Sequence, residues 1–543
     1  MTIEMTCLQI GDRIRFEMKV QRTAWVFVGL LFLGFALRMF EIGEPLIDKQ
    51  AWRQTDTAAV ARNFFEEDFN IFSPRVDWRG DGPGVVEMNF PLYPYLVSLL
   101  YGTLGGVYEW VGRLLSSFFS VATSILLFFV ARKLGFSASV GLWAMFFFMV
   151  TPLSLFFGRA FLPESLMLLL SVSSLLTFKC WTESERTISY VCAILSASLC
   201  YLVKIPTLYL GFALVAIALS KWGWRFIYQR SLWLYLIISL FPSLVWYLHA
   251  SNLFADTGLT FGIWNRYGYD KWDRSVLYDY EFYRQMSWRF VYNIFTPLGC
   301  GFLCFGIFKT GTSRTKWILW GWSIGLLLYM ILVPEGNRKL HYYQVPFIPL
   351  GCLWAGFGTV VVLDHWPQSL RFKYFGLVGA ALVALPVLGF SAHAVIPYYE
   401  QPNNVHEYYE SCYSFGNWAD KNLPKEALLV IGDLDENTGT PFRSQSPTML
   451  YYCHRKGWQI TPEEFSEGKL DSLADLGADF FLVAGGFVLQ NREFWEHLLS
   501  RGVSTTDAYP KKWFDSKKFQ RHIAESSSRS KHFVIVELED DNR

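Results

Sequence analysis

The sequence predicts a polytopic α-helical membrane protein that carries a small α/β domain after its last span. Three observations lead there. The 543 residues are 52% hydrophobic and only 17% charged, well below the roughly 25% charged residues of average soluble domains. The apolar residues fall in blocks of roughly 16–22, the length that crosses a bilayer. After Pro397 the composition becomes mixed and charged. A formal net charge of +1 gives no global field that would gather nucleic acid, so a nucleic-acid partner is not expected.

The chain begins with a polar stretch holding Arg13, Arg15, Lys19 and Arg22, followed by the apolar run from Ala24 to Phe40. A cleaved signal would have a shorter apolar core and a small-residue cleavage site. Arg38, Met39 and Phe40 stand there instead, so this reads as a retained anchor with its basic end cytoplasmic.

Ten further apolar segments lie near 112–131, 138–157, 163–179, 188–203, 205–220, 231–249, 291–308, 317–333, 343–363 and 374–394. The segment 91–105 is short and broken by Pro91, Pro94 and glycines. If it spanned, Arg132, Lys133, Lys221, Arg225 and Arg230 would face outside. If it lies along the interface, those groups face the cytoplasm, as the positive-inside rule prefers. About eleven spans plus a juxtamembrane helix are therefore expected, with the tail and the opening loop on the extracytoplasmic face.

That opening loop, 41–94, is dense in Asp, Glu, Arg, Trp and Tyr and has no place in lipid. Its first acid, Asp48, should lie at the membrane–water boundary, within reach of a lipid head group. Asp56, Asp77 and Glu87 follow in the same loop, and Asp56 reads as the cap of a helix around 57–66. At predicted outer boundaries stand Arg159, Glu164, Lys204, Asn337, Arg338, Lys339 and His341. Basic groups there are either snorkelling side chains or, as a converging set, contacts for an anionic ligand.

Residues 398–543 read as a small α/β domain. Strands are expected at 427–433, 479–486 and 532–538. A helix is expected over 446–458, opened by Ser446 and Pro447, with another starting at 461–465 and a loop from Arg521 to Lys531. The domain division follows as 1–397 for the membrane part and 398–543 for the extracytoplasmic part. Gly432, Gly485 and Gly486 follow strands as turn residues, with no phosphate-loop pattern. Of the nine cysteines, six lie in or beside apolar segments as small hydrophobes, and Cys412 and Cys453 could pair.

Chemistry on an extracytoplasmic face has no cytosolic nucleotides and draws its activated group from a lipid carrier. Sugar transfer from a polyprenyl phosphate needs a carboxylate to deprotonate the acceptor, cations for the departing phosphate, and a groove for the lipid. The loop pattern Asp48-Lys49-Gln50-Ala51-Trp52-Arg53-Gln54-Thr55-Asp56, then Ala61-Arg62-Asn63-Phe64 and Glu87-Met88-Asn89-Phe90-Pro91, resembles the GT-C fold lipid-linked sugar transferases. The nearest branch is that of the protein O-mannosyltransferases and the lipid A aminoarabinose transferase. Gly158-Arg159 with Pro163-Glu164, Tyr201-Leu202-Val203-Lys204, and Arg338-Lys339-Leu340-His341-Tyr342 are similar to later segments of that family.

The resemblance implies a membrane glycosyltransferase in a cell envelope, and a bacterial inner membrane is expected. Asp48 stands at the catalytic acid, with Glu164 as a second acid and Glu87 as a displaced one. Lys204 resembles a lipid-phosphate contact; Arg338, Lys339 and Arg159 are further donor-phosphate candidates from their predicted outer-face positions, with Arg159 alternatively a partner of Glu164. Arg53, Asp56, His341 and Tyr342 are substrate-binding candidates. Relatives read Glu-Lys-Pro where this chain has Asn89-Phe90-Pro91, so their first-loop lysine is replaced. The partners implied are a polyprenyl-phosphate sugar, a lipid, glycan or protein acceptor, and membrane lipids. The one cofactor left open is a divalent ion on Asp48, Glu87 and His341. The competing classes are a transporter, which would show repeats and mid-membrane charges, and a non-catalytic envelope-assembly protein, which would not need Asp48.

Overall fold

The computed structural model describes residues 21–264, 270–309, 314–365, 375–400, 404–432, 447–484, 491–501, 503–504 and 533–538. The basic residues Arg13, Arg15 and Lys19, the expected helix start at Ser446, Gly485 and Gly486, and the serine-rich segment 521–531 lie outside these. The chain divides into two compact units.

The first unit holds the described residues up to Ile42, together with Arg113–Val245 and Lys271–Ile396, and is all helical. Six described helices of the chain are long and apolar enough to cross a membrane, or seven if one bent pair counts as a single span. Shorter apolar helices at Ala138–Val150, Thr187–Val203 and Trp317–Leu332 belong to the same unit.

Several expected spans are broken where local chemistry requires it. The segment 138–157 is two helices, Ala138–Val150 and Pro152–Phe157, because Thr151 before Pro152 is extended (φ −63°, ψ 141°). The segment 205–220 opens as a 3₁₀ turn, Ile205–Leu210, with Pro206 in its first turn, before the helix Gly211–Trp222. The segment 291–308 bends by 105° between Tyr280–Ile294 and Pro297–Lys309, at Thr296 with φ 65°. The helices Pro297–Lys309 and Phe347–Asp364 touch backbone to backbone. A Cβ on Gly358 would lie 1.9 Å from the Phe302 carbonyl oxygen, so only glycine permits this approach.

Arg38 closes the first described helix, over 21–38, and is wholly buried. Its Nε donates to Ser120 Oγ at 2.9 Å, Nη1 to the Gly34 carbonyl at 2.9 Å and Nη2 to the Ser154 carbonyl at 3.2 Å. The end of the anchor is thus tied into the bundle by hydrogen bonds that a buried guanidinium needs.

The second unit holds Gly43–Gly112, Trp246–Asp270 and the described residues from Pro397 onward. The opening loop therefore shares a unit with the tail. Its helix runs Ala51–Glu66, starting earlier than the expected 57–66. The apolar helix Leu92–Leu104 has 13 residues, about 20 Å at 1.5 Å per residue, against a hydrocarbon core of about 30 Å.

The tail forms a five-stranded sheet, with β1 Leu428–Gly432, β2 Lys456–Ile460, β3 Phe480–Ala484, β4 Val503–Ser504 and β5 Phe533–Glu537. The order is β2-β1-β3-β5-β4, with β1 parallel to both β2 and β3, and β5 antiparallel to β3 and β4. The expected helix over 446–458 is corrected to Pro447–Cys453 followed by β2. Gly457 has φ 156° and no room for a side chain, because a Cβ would meet the Leu429 carbonyl at 1.8 Å. The turn at 461–465 is a short 3₁₀ element with a Thr461–Glu464 capping box, and the helix proper is Glu467–Asp475.

One apolar cluster of this unit joins Ala51 of the loop to Cys412, Leu429, Met449, Leu450 and Cys453 of the tail. Both cysteines are buried in it as thiols and no disulfide joins them, so the pairing considered from sequence is absent. Burial pushes the Cys453 thiol well up.

Candidate active site

In the first unit, Glu164 begins the helix Glu164–Ser184, and Lys204 is the extended residue between the helix Thr187–Val203 and the Ile205 turn. The break at Lys204 frees its side chain from the helix surface and sends it to the Glu164 carboxylate as an ion pair. The ammonium lies 5.0 Å from the centroid of the Tyr342 ring, within cation–π range. Tyr342 also meets Phe157 edge to face at 6.4 Å, and Ser165 Oγ donates to the Phe157 carbonyl at 2.9 Å. Glu164 is 2% exposed, and its Oε2 has no hydrogen-bond partner among the described residues. The result is a carboxylate–ammonium pair on an aromatic wall, with one carboxylate oxygen still able to accept.

Arg338 and Lys339 sit on the short helix Pro334–Lys339. Both turn to Glu335, Arg338 through Nε at 2.5 Å and Nη2 at 2.7 Å, and Lys339 at 3.4 Å. Glu335 is buried and offsets part of their charge. It was missed in the sequence, although its spacing of three and four residues from the two cations is the helical pairing distance. The Asn337 carbonyl on the same helix accepts from Arg289 Nη1 at 2.9 Å and Gln344 Nε2 at 2.6 Å. His341 opens the following turn, His341–Gln344. Arg159 Nη1 donates to the Glu41 carbonyl at 2.7 Å, with Nη2 4.0 Å from the Glu41 carboxylate. The structure thus brings Glu164, Lys204 and Tyr342 together, and Arg338 with Lys339.

In the second unit, Asp48 is 5% exposed and accepts from Gln54 Nε2, which also donates to the Lys49 carbonyl at 3.0 Å. Gln50, between them, takes the left-handed conformation (φ 64°, ψ 34°) at the start of the helix, which lets the chain fold back so that residue 54 reaches residue 48. Gln54 is a second residue the sequence did not single out. Arg53 lies with its guanidinium 4.5 Å from the Phe261 ring centroid, and its Nη1 is buried with no partner among the described residues. Asp56 is not a helix cap, since the helix begins at Ala51; its Oδ1 accepts from Trp78 Nε1 at 2.8 Å. Trp78 meets Phe261 at 6.2 Å.

Glu87 pairs with Thr260 in a short parallel bridge. Its backbone bonds Leu259 and Phe261 at 3.0 and 2.8 Å, and its Oε2 accepts from Thr260 Oγ1 at 2.5 Å. Arg53, Asp56 and Glu87 therefore share one locality around Trp78 and Phe261. The departure at 89–91 has its own use, as Asn89 Oδ1 accepts from the Tyr247 hydroxyl at 3.0 Å.

Beside these runs an ionic network that spacing could not reveal. Asp77, 1% exposed, takes Arg62 Nη2 at 2.5 Å, Lys456 Nζ at 2.5 Å and Asn63 Nδ2 at 3.0 Å. Burial opposes its ionisation, but Arg62 and Lys456 outweigh burial and hold the carboxyl well below the usual carboxylate range. Among the described residues no group of three His, Cys, Asp or Glu side chains could hold a metal ion. The donor set considered for Asp48, Glu87 and His341 is not such a group.

A family model described as dolichyl-phosphate-mannose-protein mannosyltransferase matches residues 83–248. The solved structure of ArnT from Cupriavidus metallidurans bound to undecaprenyl phosphate superposes with a TM-score of 0.59 at 13% identity, covering 96% of this chain and 99% of that one. The protein has the GT-C fold of the lipid-linked sugar transferases. The same GT-C fold is seen in the archaeal oligosaccharyltransferase AglB from Archaeoglobus fulgidus, in complex with an inhibitory peptide and a dolichol-phosphate (TM-score 0.55, 13% identity, 88% of this chain and 71% of that one). It is seen again in the mycobacterial arabinofuranosyltransferase AftD (TM-score 0.54, 16% identity, 90% and 37%). No match was found among curated proteins. A GT-C protein with these apolar helices is an integral membrane protein.

Proposed function

We propose that this protein is a membrane glycosyltransferase that moves a sugar from a polyprenyl-phosphate donor to an acceptor on the extracytoplasmic face, with inversion, Asp48 acting as the base. The observation that carries the reading is Asp48 itself. It is a nearly buried carboxylate at the head of the opening loop, held by Gln54 rather than left to rotate in solvent. A general base must be held near the proton it takes, and a solvated loop acid is not. The matched family and the carrier lipids bound by ArnT and AglB support a lipid-linked donor.

Each remaining group has a part. Lys204 binds the phosphate that leaves, and Glu164 is its resident counter-ion until the donor arrives. Arg338, Lys339 and Arg159 add positive charge for the same anion. Arg53, Asp56, Glu87, His341 and Tyr342 contact sugar or acceptor. The basic N-terminus is cytoplasmic, the membrane is a bacterial inner membrane, and residues 398–543 help recognise a lipid, glycan or protein acceptor.

The test is Asp48→Asn assayed for release of polyprenyl phosphate from a panel of polyprenyl-phosphate sugars. Loss of a general base lowers the rate by about 10²–10⁴-fold, with donor binding little changed. Turnover within about threefold of wild type, far inside that range, would remove Asp48 from the role.

A further inference from the structure

The helix Glu164–Ser184 carries the Glu164–Lys204 pair at its first turn. Lys179 lies fifteen residues on, about 22 Å away along the axis. There, at the opposite end of the helix, four helices leave a cavity of about 200 Å³. Three lysines line it: Lys133 from the end of Glu109–Lys133, Lys179, and Lys221 from the last turn of Gly211–Trp222. Two carboxylates face them. Glu183 bonds Lys133 at 3.0 Å and Lys179 at 3.3 Å, and Glu185 bonds Lys221 at 3.0 Å. The cluster keeps one positive charge in excess, and such half-exposed pairs contribute little by themselves, so a stronger anion can displace them.

The cavity does not end at the charges. Lys133, Leu134, Lys179 and Ile318 also line a narrow apolar crevice of only about 10 Å³ between the helices, floored by Leu175, Ile217 and Trp322. Trp322 is 1% exposed, and its indole N–H has no hydrogen-bond partner among the described residues. The depth of the cavity is marked independently. Trp181, on the same turn as Lys179, packs with Tyr190 at 4.8 Å and Trp222 at 5.8 Å, while Trp224 and Tyr228 nearby are strongly exposed. Tryptophan and tyrosine gather in this way at the head-group level of a bilayer.

From the three lysines, the apolar floor and the aromatic girdle, we infer that this cavity binds the phosphate head group of an anionic phospholipid. A basic pocket between membrane helices at head-group depth has the chemistry for such a lipid. A zwitterionic lipid would add a cation against the lysines. Free phosphate would gain nothing from a site at head-group depth, where the bilayer itself presents phospholipid phosphates. The site is separate from the transfer chemistry and does not rest on it.

The test uses the purified, delipidated full-length protein and native mass spectrometry, titrating phosphatidylglycerol, phosphatidylcholine and inorganic phosphate. Phosphatidylglycerol is expected to bind more tightly than phosphatidylcholine. Lys179→Gln and Lys221→Gln should each weaken phosphatidylglycerol by about fivefold, the worth of one basic residue at an anionic surface. Lys425→Gln, in the tail, should leave it unchanged. These are single substitutions, so Glu183 keeps Lys133 when Lys179 is changed, and unaltered thermal melting would show that each variant is folded. Equal affinity for the two lipids would overturn the inference. So would an equal loss with Lys425→Gln, or removal of phosphatidylglycerol by millimolar inorganic phosphate, which would make the site one for a free anion.

Discussion

Lys204 is held between two partners of different kinds, the Glu164 carboxylate and the face of the Tyr342 ring. The carboxylate is a competitor for any phosphate that approaches, and the ring is not. Lys204→Met is therefore expected to lower kcat/KM for the donor by about 10- to 150-fold, the range of a hydrogen bond to a charged group. Glu164→Gln is expected to leave donor KM unchanged or lower it, because it frees the ammonium. A rise in donor KM with Glu164→Gln, measured by steady-state kinetics on a folded variant, would show that Glu164 binds donor rather than guarding Lys204.

Glu335 sets the charge available from Arg338 and Lys339. Glu335→Gln removes the buried carboxylate that both cations contact. If those cations serve the leaving phosphate, the variant should hold polyprenyl phosphate more tightly. Slower product release and stronger inhibition by added polyprenyl phosphate are the expected signs. Unchanged product inhibition would detach the pair from the phosphate.

Asp77 ties Arg62 of the opening loop to Lys456 of the tail. Removing one partner of such a buried pair typically costs about 3–5 kcal/mol, because charge is left uncompensated. Asp77→Asn is expected to lower the melting temperature and to loosen the tail, seen as faster proteolysis between 398 and 543. The pH dependence has a definite sign. A carboxyl whose folded value is depressed contributes stability that is full above its unfolded value of about 3.9 and is lost as pH falls below that toward the folded value. At Glu67 partial desolvation opposes ionisation, but Arg79 and Lys456 outweigh it and lower the carboxyl, so it acts in the same direction. The wild type should lose stability below about pH 4, and Asp77→Asn should show a shallower loss. A parallel pH profile for the two would exclude Asp77 as its source.

Topology is tested at Leu92–Leu104. A 13-residue helix falls short of a bilayer by about 10 Å and is expected to lie at the interface. Single cysteines at Asp68 and Gly106, in a background without native cysteines, should both be labelled by an impermeant reagent from the same side. Labelling from opposite sides would make the segment a span and invert every later loop.

Much of this protein was legible because its chemistry is local. Hydrophobic length marked the membrane helices, and the Asp48 loop stood out by its density of charge. The breaks at Thr151–Pro152 and Lys204–Pro206 are proline effects, readable in principle but hidden inside continuous apolar runs. Other features depend on distance in the chain. Gln54 reaches Asp48 only because Gln50 is left-handed, a conformation that sequence does not announce for glutamine. Asp56 reads as a cap only if the helix starts at 57, six residues after its true start at Ala51. The stretch 446–458 reads as helix by composition, yet β1 claims its last three residues for a strand, with Gly457 pressed against Leu429. Asp77 was visible as an acid, but its bond to Lys456 spans 379 positions, and no local pattern encodes that.

That same span has a consequence for biosynthesis. A ribosome adding about 5–20 residues per second needs roughly 20–75 s to travel from Asp77 to Lys456. Through that interval Asp77 and Arg62 exist without their third partner, and Ala51 lacks the tail residues it packs against. The nascent loop is therefore an acid–base pair and an apolar surface waiting for chain not yet made. This is the period in which a chaperone or protease would find it. Substitutions at Lys456 should thus reduce the amount of protein accumulating in cells more than they reduce the activity of each molecule that is completed.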